Sequence, residues 1–147
     1  MYKRILIATD GSPLSRKAAS TGIELAALMD AQVIVLNVVP RYPTSYFEGG
    51  VAMAATEVAR IEKLWTEKAQ DVVDGVKDRA ESQGVKAKAV TVRSDLVAEA
   101  IIAAAKKHKC DLIVMASHGR KGLKRILLGS ETTHVLTHST IPVMVLR

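Results

Sequence analysis

The sequence predicts an α/β protein with an open, twisted, parallel five-stranded sheet and helices on both faces. Short apolar runs alternate along the chain with segments whose apolar residues recur at helical spacing, and this alternation is typical of a parallel sheet. The length of 147 residues suits a single domain with its own core, and 48% hydrophobic with 24% charged residues is a globular composition. No apolar run reaches the ~18 residues that would span a membrane.

The first half of the chain predicts two strands and two helices. Ile5–Ala8 is the first strand, and Pro13 suits the first turn of the helix that follows. Gln32–Val39 is a second strand with an apolar centre. A long loop from Pro40 to about residue 50 precedes a long helix, which is expected to end near residue 83 because Gly84 interrupts the pattern.

The second half predicts three more strands. Val85–Val92 alternates small apolar residues with lysines, which favours a half-exposed strand near a sheet edge. Ser94-Asp95 can cap the next helix. Leu112–Ala116 is wholly apolar and therefore central. Ser130 is expected to cap a short helix that runs to about residue 138, and Ile141–Leu146 is the last strand.

The segment Ala116–Ser130 has the layout of a phosphate-binding site. A strand runs directly into the small-residue turn at Gly119, and a second turn, Gly129-Ser130, opens a helix. Glycines let backbone N–H groups approach an anion, and a helix N-terminus carries a partial positive charge. Two ordinary turns of an α/β protein would look the same. The spacing excludes both a P-loop and the G-x-G-x-x-G dinucleotide fingerprint.

In open parallel sheets, ligands bind beyond the carboxyl ends of the strands, where the strand order reverses. The loop Thr9–Ser12 after the first strand and the loop Ser117–Gly119 after the fourth are therefore the candidate ligand loops. Asp10 has a second interpretation, as a cap for the helix that starts near Pro13.

Taken together, these blocks resemble the universal stress protein family over the whole length of the chain. The opening Ile5–Ser12 is similar to the first strand and aspartate of that family. The segment Ala116-Ser117-His118-Gly119, nine residues and Gly129-Ser130 is similar to the G-x-x-G-x9-G-[ST] motif of its ATP-binding branch. The resemblance implies strand order 3-2-1-4-5 and a Rossmann-like sheet of the adenine-nucleotide α-hydrolase type.

The same resemblance implies an ATP site, with Mg²⁺ accompanying the phosphates. The implied site residues are Ala8, Thr9 and Asp10 at the adenine and ribose, Val38 with its backbone at the adenine edge, Met115 and Ala116 on the sugar side, and Gly119, Gly129, Ser130 and Thr132 at the phosphates, with Glu131 beside them.

Two residues of this segment depart from the family pattern. Ala116 stands where the motif has its first glycine, a mild change if φ is negative there and a costly one otherwise. Glu131 stands where ATP-binding relatives usually carry an apolar residue. Its carboxylate favours a helix N-terminus but repels a triphosphate unless it points away or shares the Mg²⁺.

The remaining chemistry-bearing residues predict little. The net charge of +6 comes with only 3% aromatic residues, which disfavours single-stranded nucleic acid as a partner. Cys110 is interpreted as a structural thiol, and His134 and His138 as solvated residues with no metal site. Arg120, Lys121, Lys124 and Arg125 are expected on a solvated face, and the loop with Tyr42, Tyr46 and Phe47 could be a lid or a plug. The absence of a signal peptide, a membrane span and paired cysteines favours the cytoplasm.

Two functional classes and one weaker alternative remain open on the sequence. The first is a nucleotide-dependent regulatory protein with an unknown protein partner and no robust catalysis, because no general base or second metal-ligand carboxylate is evident near the phosphate loop. The second is a slow ATP hydrolase or adenylyl transferase. The weaker alternative is a ligand-free interaction module, or a binder of another adenine nucleotide such as cyclic AMP. A homodimer through the last strand, Ile141–Leu146, is also expected, because that strand is apolar and lies at a sheet edge.

Overall fold

The computed structural model describes residues 1–43, 54–119 and 128–147, and strands alternate with helices throughout. The strands are β1 (Arg4–Ala8), β2 (Gln32–Val39), β3 (Ala87–Arg93), β4 (Leu112–Ala116) and β5 (Val143–Leu146). The helices are α1 (Pro13–Met29), α2 (Ala55–Ser82), α3 (Val97–Lys107) and α4 (Ser130–His138). Within the described ranges, no helix is both long and apolar enough to cross a membrane.

The strands form one parallel sheet in the order β3-β2-β1-β4-β5, which confirms the implied topology. The order reverses between β1 and β4, so the carboxyl ends of these two strands diverge into separate loops. β4 is buried along its whole length, as expected of a central strand. β3 and β5 occupy the two edges.

Apolar side chains on the two faces of the sheet form two cores, because successive residues of a strand point to opposite faces. One core contains Ile5 and Ile7 of β1 and is covered by α1 and α2. The other contains Leu6 and is covered by α3 and α4. Helices therefore lie on both faces, as predicted. Each face of β5 adds partly buried side chains to one of these cores, so neither is left to solvent.

Some element boundaries differ from the sequence-based expectation. β3 begins at Ala87 rather than Val85 and extends to Arg93, so the predicted segment is shifted. β5 begins at Val143 rather than Ile141, because the Ile141 N–H donates to the Ser139 hydroxyl in a turn. The expected start of the second helix lies outside the described residues; its described part begins at Ala55.

The predicted helix caps at Ser94-Asp95 and Ser130 are wrong. The cap residue of α3 is Leu96, whose side chain cannot accept a hydrogen bond. The Asp95 carboxylate instead accepts from the Arg41 N–H at 2.9 Å, and the Ser94 hydroxyl accepts from Leu96 N–H at 3.1 Å. α4 is preceded by Gly129, which makes Ser130 its first helical residue. The side chains of Ser94 and Asp95 therefore make other hydrogen bonds instead of capping α3.

Candidate functional site

A cavity of about 150 Å³ opens at the carboxyl ends of β1, β2 and β4, where the strand order reverses. This is the position at which open parallel sheets bind ligands. The sequence-predicted residues that line it are Ala8, Thr9, Asp10, Val38, Met115, Ala116, Gly119, Glu131 and Thr132. Gly129 and Ser130 are not among the lining residues, although they directly precede two that are.

The loop after β1 is held by its own side chains. Gly11 has φ +80°, a conformation that glycine adopts without strain, and its N–H donates to the Thr9 hydroxyl at 3.2 Å. Ser12 is the cap of α1 and accepts from the Ser15 N–H at 3.3 Å, so Asp10 is not the cap of this helix. The Asp10 carboxylate accepts instead from the Ser12 N–H at 2.9 Å. The loop therefore arrives at the cavity in a fixed shape.

Asp10 and Gly119 join the two candidate loops. A Cβ placed on Gly119 would lie 2.6 Å from Asp10 Oδ2, closer than real Cβ atoms approach an oxygen. A side chain at this position would force the carboxylate to move. Gly119 therefore allows the two loops to approach closely while Asp10 keeps its hydrogen bond to the Ser12 N–H.

Val38 presents backbone groups to the cavity because of its phase along β2. The Leu36 carbonyl accepts from the Thr9 N–H at 2.9 Å, so Leu36 directs its backbone toward β1. Backbone direction alternates with period two, and Val38 therefore points the same way as Leu36. The paired part of β1 ends at Ala8, opposite Leu36. The backbone of Val38 thus faces the space beyond the end of β1.

Ala116 causes no backbone strain. It is the last residue of β4, pairs with Leu146, and is not among the described non-glycine residues with positive φ. Its carbonyl accepts from the Thr132 hydroxyl at 2.9 Å, and Thr132 is only 2% exposed. The Thr132 hydroxyl proton therefore ties α4 to β4 rather than pointing at a ligand.

The backbone N–H of Gly129 also has a partner within the protein. Its N–H donates to the Ser117 carbonyl at 2.7 Å, and an added Cβ would lie 3.3 Å from that carbonyl and from His118 Cα. Glycine here lets the start of α4 pack against the loop after β4. The N–H groups that an anion could reach are consequently those of the first helical turn, which begins at Ser130.

Glu131 has a defined structural role. Its Oε2 accepts from the Ala98 N–H at 2.8 Å, which supplies the cap that Leu96 cannot provide at the start of α3. A carboxylate at a helix N-terminus also interacts favourably with the helix dipole. The side chain nevertheless lines the cavity, so its negative charge stays close to any bound anion.

Sequence reasoning missed several lining residues. These are Ser15, Leu36, Asn37, Val97 and Ile101. Asn37 had a detectable signal, since it is the one polar side chain within the apolar run of β2. Val97 and Ile101 are spaced i, i+4 and share one face of α3, but only the packing of that helix identifies the face. His118 belongs to the candidate loop after β4, and its ring Nδ1 lies 3.1 Å from the Ser117 hydroxyl.

The other candidate residues lie outside this cavity. Burial raises the pKa of the Cys110 thiol to about 11, which keeps it protonated and supports its interpretation as a structural residue. The rings of His134 and His138 lie 4.2 Å apart between centroids. Across the described ranges, no cluster of three or more potential metal-ligating His, Cys, Asp or Glu side chains occurs. The ring of Tyr42 stacks on the ring of Trp65, with 5.9 Å between the ring centroids.

The remainder of the aromatic loop and the basic residues between the two glycine turns fall outside the described ranges. They are Tyr46, Phe47, Arg120, Lys121, Lys124 and Arg125.

Comparison with known proteins agrees with the fold. The whole chain, residues 1–147, matches the Universal stress protein family. Universal stress protein MJ0531 of Methanocaldococcus jannaschii is 39% identical over 147 residues, covering 100% of this chain and 83% of that protein. The solved structure of MJ0577, from the same organism, has a TM-score of 0.76 and 31% identity, covering 99% of this chain and 96% of that one.

A universal stress protein solved in complex with cAMP shares the fold, with a TM-score of 0.72, 23% identity, and coverage of 99% of this chain and 97% of that one. Family model, sequence relatives and sheet topology agree over the full length. The chain therefore belongs to the universal stress protein family.

Proposed function

We propose that the protein binds an adenine nucleotide, ATP with Mg²⁺, in the cavity at the carboxyl ends of β1, β2 and β4, and that occupancy regulates its interaction with a protein partner. The observation that carries the proposal is the meeting of Asp10 with the side-chain-free Gly119 at the point of strand-order reversal. This arrangement joins an acceptor carboxylate to a turn that a phosphate-bearing ligand can approach closely.

The inner part of the cavity suits an adenine. Leu36, Met115 and Ile101 supply an apolar wall, and the backbone of Val38 faces the space beside it. Flat aromatic ligands favour such walls with a few fixed polar groups for orientation. The Asp10 carboxylate and the Asn37 side chain are the polar groups that can recognise the ring edge or ribose hydroxyls.

The outer part suits the phosphates. The first turn of α4 presents backbone N–H groups and a partial positive charge, and Gly119 lies across the cavity without a side chain. Mg²⁺ in nucleotide sites is usually held by phosphate oxygens and water with few protein ligands. When bound, the ion neutralises phosphate charge close to Asp10 and Glu131.

Nucleotide binding is expected to raise the thermal stability of the protein. At a free ATP concentration ~100 times the dissociation constant, a ligand specific for the folded state adds about 2.7 kcal/mol to the free energy of unfolding. Thermal unfolding with and without Mg²⁺-ATP, alongside calorimetry, measures this effect. If millimolar ATP gives no thermal shift and no binding heat, the proposal is contradicted. Identifying nucleotide released from the denatured, purified protein tests it independently.

Glu131 favours a second candidate ligand, an adenine nucleotide with fewer phosphate charges. Its carboxylate lines the outer part of the cavity while it caps α3, so it cannot turn away without leaving the Ala98 N–H without that partner. A neighbour of the same fold was solved with cAMP. A cyclic monophosphate meets less repulsion from this carboxylate than a triphosphate does.

Glu131→Gln is expected to shift nucleotide preference toward ATP. The glutamine carbonyl can still accept from Ala98 N–H, so α3 keeps its cap while the repelling charge is removed. ATP affinity should rise by about two- to tenfold, since charge interactions near a surface are worth roughly 1 kcal/mol, and cyclic AMP should gain less. Calorimetric titration of both ligands measures this difference. Equal gains for both nucleotides would show that Glu131 does not set the preference.

Regulation rather than turnover is the proposed outcome of binding. Prolonged incubation with Mg²⁺-ATP, with product analysis, tests the alternative of slow hydrolysis or adenylyl transfer. Accumulation of ADP, or of adenylylated product, in proportion to protein concentration would favour that alternative.

A further inference from the structure

A second cavity, of about 250 Å³, lies at the opposite end of the strands from the proposed nucleotide site. It is formed at the amino ends of three neighbouring strands and beside the residue that ends α3. Its polar lining residues are Arg4 of β1, Gln32 of β2, Lys86 and Lys88 at the start of β3, and His108 after α3. Its apolar lining residues are Val33 and Ile34 of β2 and Ala87 of β3.

Every charged side chain that lines this cavity is basic. In the described part of the chain, the ion pairs between side chains involve other residues and leave Arg4, Lys86 and Lys88 without a carboxylate in contact. The nearby carboxylate is that of Asp111, which is not a lining residue. It accepts from the backbone N–H groups of Lys3 and Arg4, at 2.8 and 3.0 Å.

The dipole of α3 does not account for the charge that lines the cavity, because the lysines in the last turn of α3 are not lining residues. Cations near the C-terminus of a helix are favourable, which suffices for Lys106 and Lys107 in its last turn. Lys86 and Lys88 lie on or beside the edge strand β3. Lys88 pairs with Ile34, whose side chain belongs to the core beneath α3, so both lysines project from that face of the sheet. Two elements distant in sequence thus direct their cations into one cavity.

The hydrogen bonds of the cavity leave donors available. The Arg4 guanidinium donates through Nη1 to the His108 carbonyl at 2.8 Å and through Nη2 to Gln32 Oε1 at 3.4 Å. These bonds orient the guanidinium and use two of its N–H groups, and an arginine has five. Since Gln32 accepts through its amide oxygen, its NH₂ group remains as a further donor. The lysine ammonium groups each carry three more.

We propose that this cavity is a binding site for a small phosphate dianion, either inorganic phosphate or the phosphate group of a phosphomonoester. An arginine on β1 that is fixed by two hydrogen bonds, with lysines at the start of β3 on the far side of β2, offers a phosphate several donors and two or more positive charges. The ligand is separate from the nucleotide, because the two cavities open at opposite ends of the same strands.

His108 reports on occupancy of this site. Burial lowers its pKa, and the positive charges of Lys88, Lys107 and Arg4 lower it further. Asp111, whose carboxylate accepts from the Arg4 N–H, is an acidic group close to this cavity. A bound dianion opposes the three cations, so it raises the pKa of His108. By linkage, a phosphate of fixed charge binds more tightly to the form of the protein in which His108 is protonated.

The test follows the imidazole nitrogen signals of the ¹⁵N-labelled protein during titration with inorganic phosphate at constant ionic strength, and again with glycerol phosphate. The pKa of His108 is expected to rise by about one unit at saturation, which corresponds to about tenfold tighter binding to its protonated form. The signals of His118, which lines the first cavity, show whether phosphate binds at the proposed nucleotide site instead. The tighter of the two probes distinguishes a free from an esterified phosphate.

Two variants locate the site. Lys88→Met should weaken binding by about tenfold or more, since a hydrogen bond to a charged group is lost. Lys68→Met, at an exposed position on α2, removes the same charge elsewhere and should leave binding unchanged. Thermal unfolding checks that both variants fold. The proposal is overturned if His108 responds to neither probe, if His118 responds in its place, or if both variants behave like the wild type. None of these outcomes depends on nucleotide binding.

Discussion

Gly119→Ala is expected to lower nucleotide affinity by about 10- to 100-fold while the protein stays folded. The new methyl carbon would lie 2.6 Å from Asp10 Oδ2, so the carboxylate must move. The side chain is short and partly exposed, so it can rotate without unfolding the protein. Rotation breaks the bond from the Ser12 N–H and removes Asp10 from its position facing the ligand. Loss of a hydrogen bond to a charged group costs ~1.5–3 kcal/mol, which is the basis of the expected range.

Calorimetric titration with Mg²⁺-ATP and with cyclic AMP measures this loss. Gly75→Ala is the matched control, because nothing lies within 4 Å of its added Cβ on α2. It should bind normally and unfold with about 1 kcal/mol more free energy, as expected for alanine in a helix interior. In a double-mutant cycle, Gly119→Ala combined with Asp10→Ala should lose less affinity than the sum of the two single losses. Additive losses would mean that Gly119 acts on the ligand directly, and an unchanged Gly119→Ala would place the site elsewhere.

Val145→Pro is expected to convert a homodimer to a folded monomer. We propose that the dimer forms by pairing of β5 with its copy about a two-fold axis. The carbonyls of Pro142 and Leu146 accept from Ile113 and Ser117 N–H groups of the β4 segment, at 2.9 and 2.7 Å. Backbone direction alternates along a strand, so Val145 directs its N–H away from β4 toward the open edge. Proline there removes an edge donor and leaves the ladder to β4 in place.

Light scattering at micromolar protein concentration measures the change in mass. Thr91→Pro is the matched control on the opposite edge of the sheet. The carbonyl of Lys86 accepts from Val33 at 2.9 Å, so by the same alternation Thr91 of β3 also directs its N–H outward. This variant should remain dimeric. A monomeric wild type, or a folded Val145→Pro protein that is still dimeric, counts against the β5 interface; loss of the dimer in both variants would point to general destabilisation.

The chain alone determined the class of fold and the ends of the strands at which ligands are expected. The apolar runs of β1, β2 and β4 are too short and too rich in branched residues to be mistaken for helices, and their alternation with helical segments requires crossover connections. The alternating lysines of β3 placed that strand at an edge. The motif around Gly119 and Gly129 pointed to the loops that the fold brings to the first cavity.

Only the tertiary structure decided what the individual residues of that site do. Helix caps and loop contacts depend on which groups from distant parts of the chain lie nearby in the fold. The local secondary-structure propensity of a segment does not depend on those groups. Glu131 caps α3 across 33 positions, which no local pattern around Ser94-Asp95 could indicate. The basic cavity has the same origin. Arg4 and His108 are 104 positions apart, and parallel pairing of β1, β2 and β3 is what brings Arg4, Lys86 and Lys88 together at the amino ends of these strands.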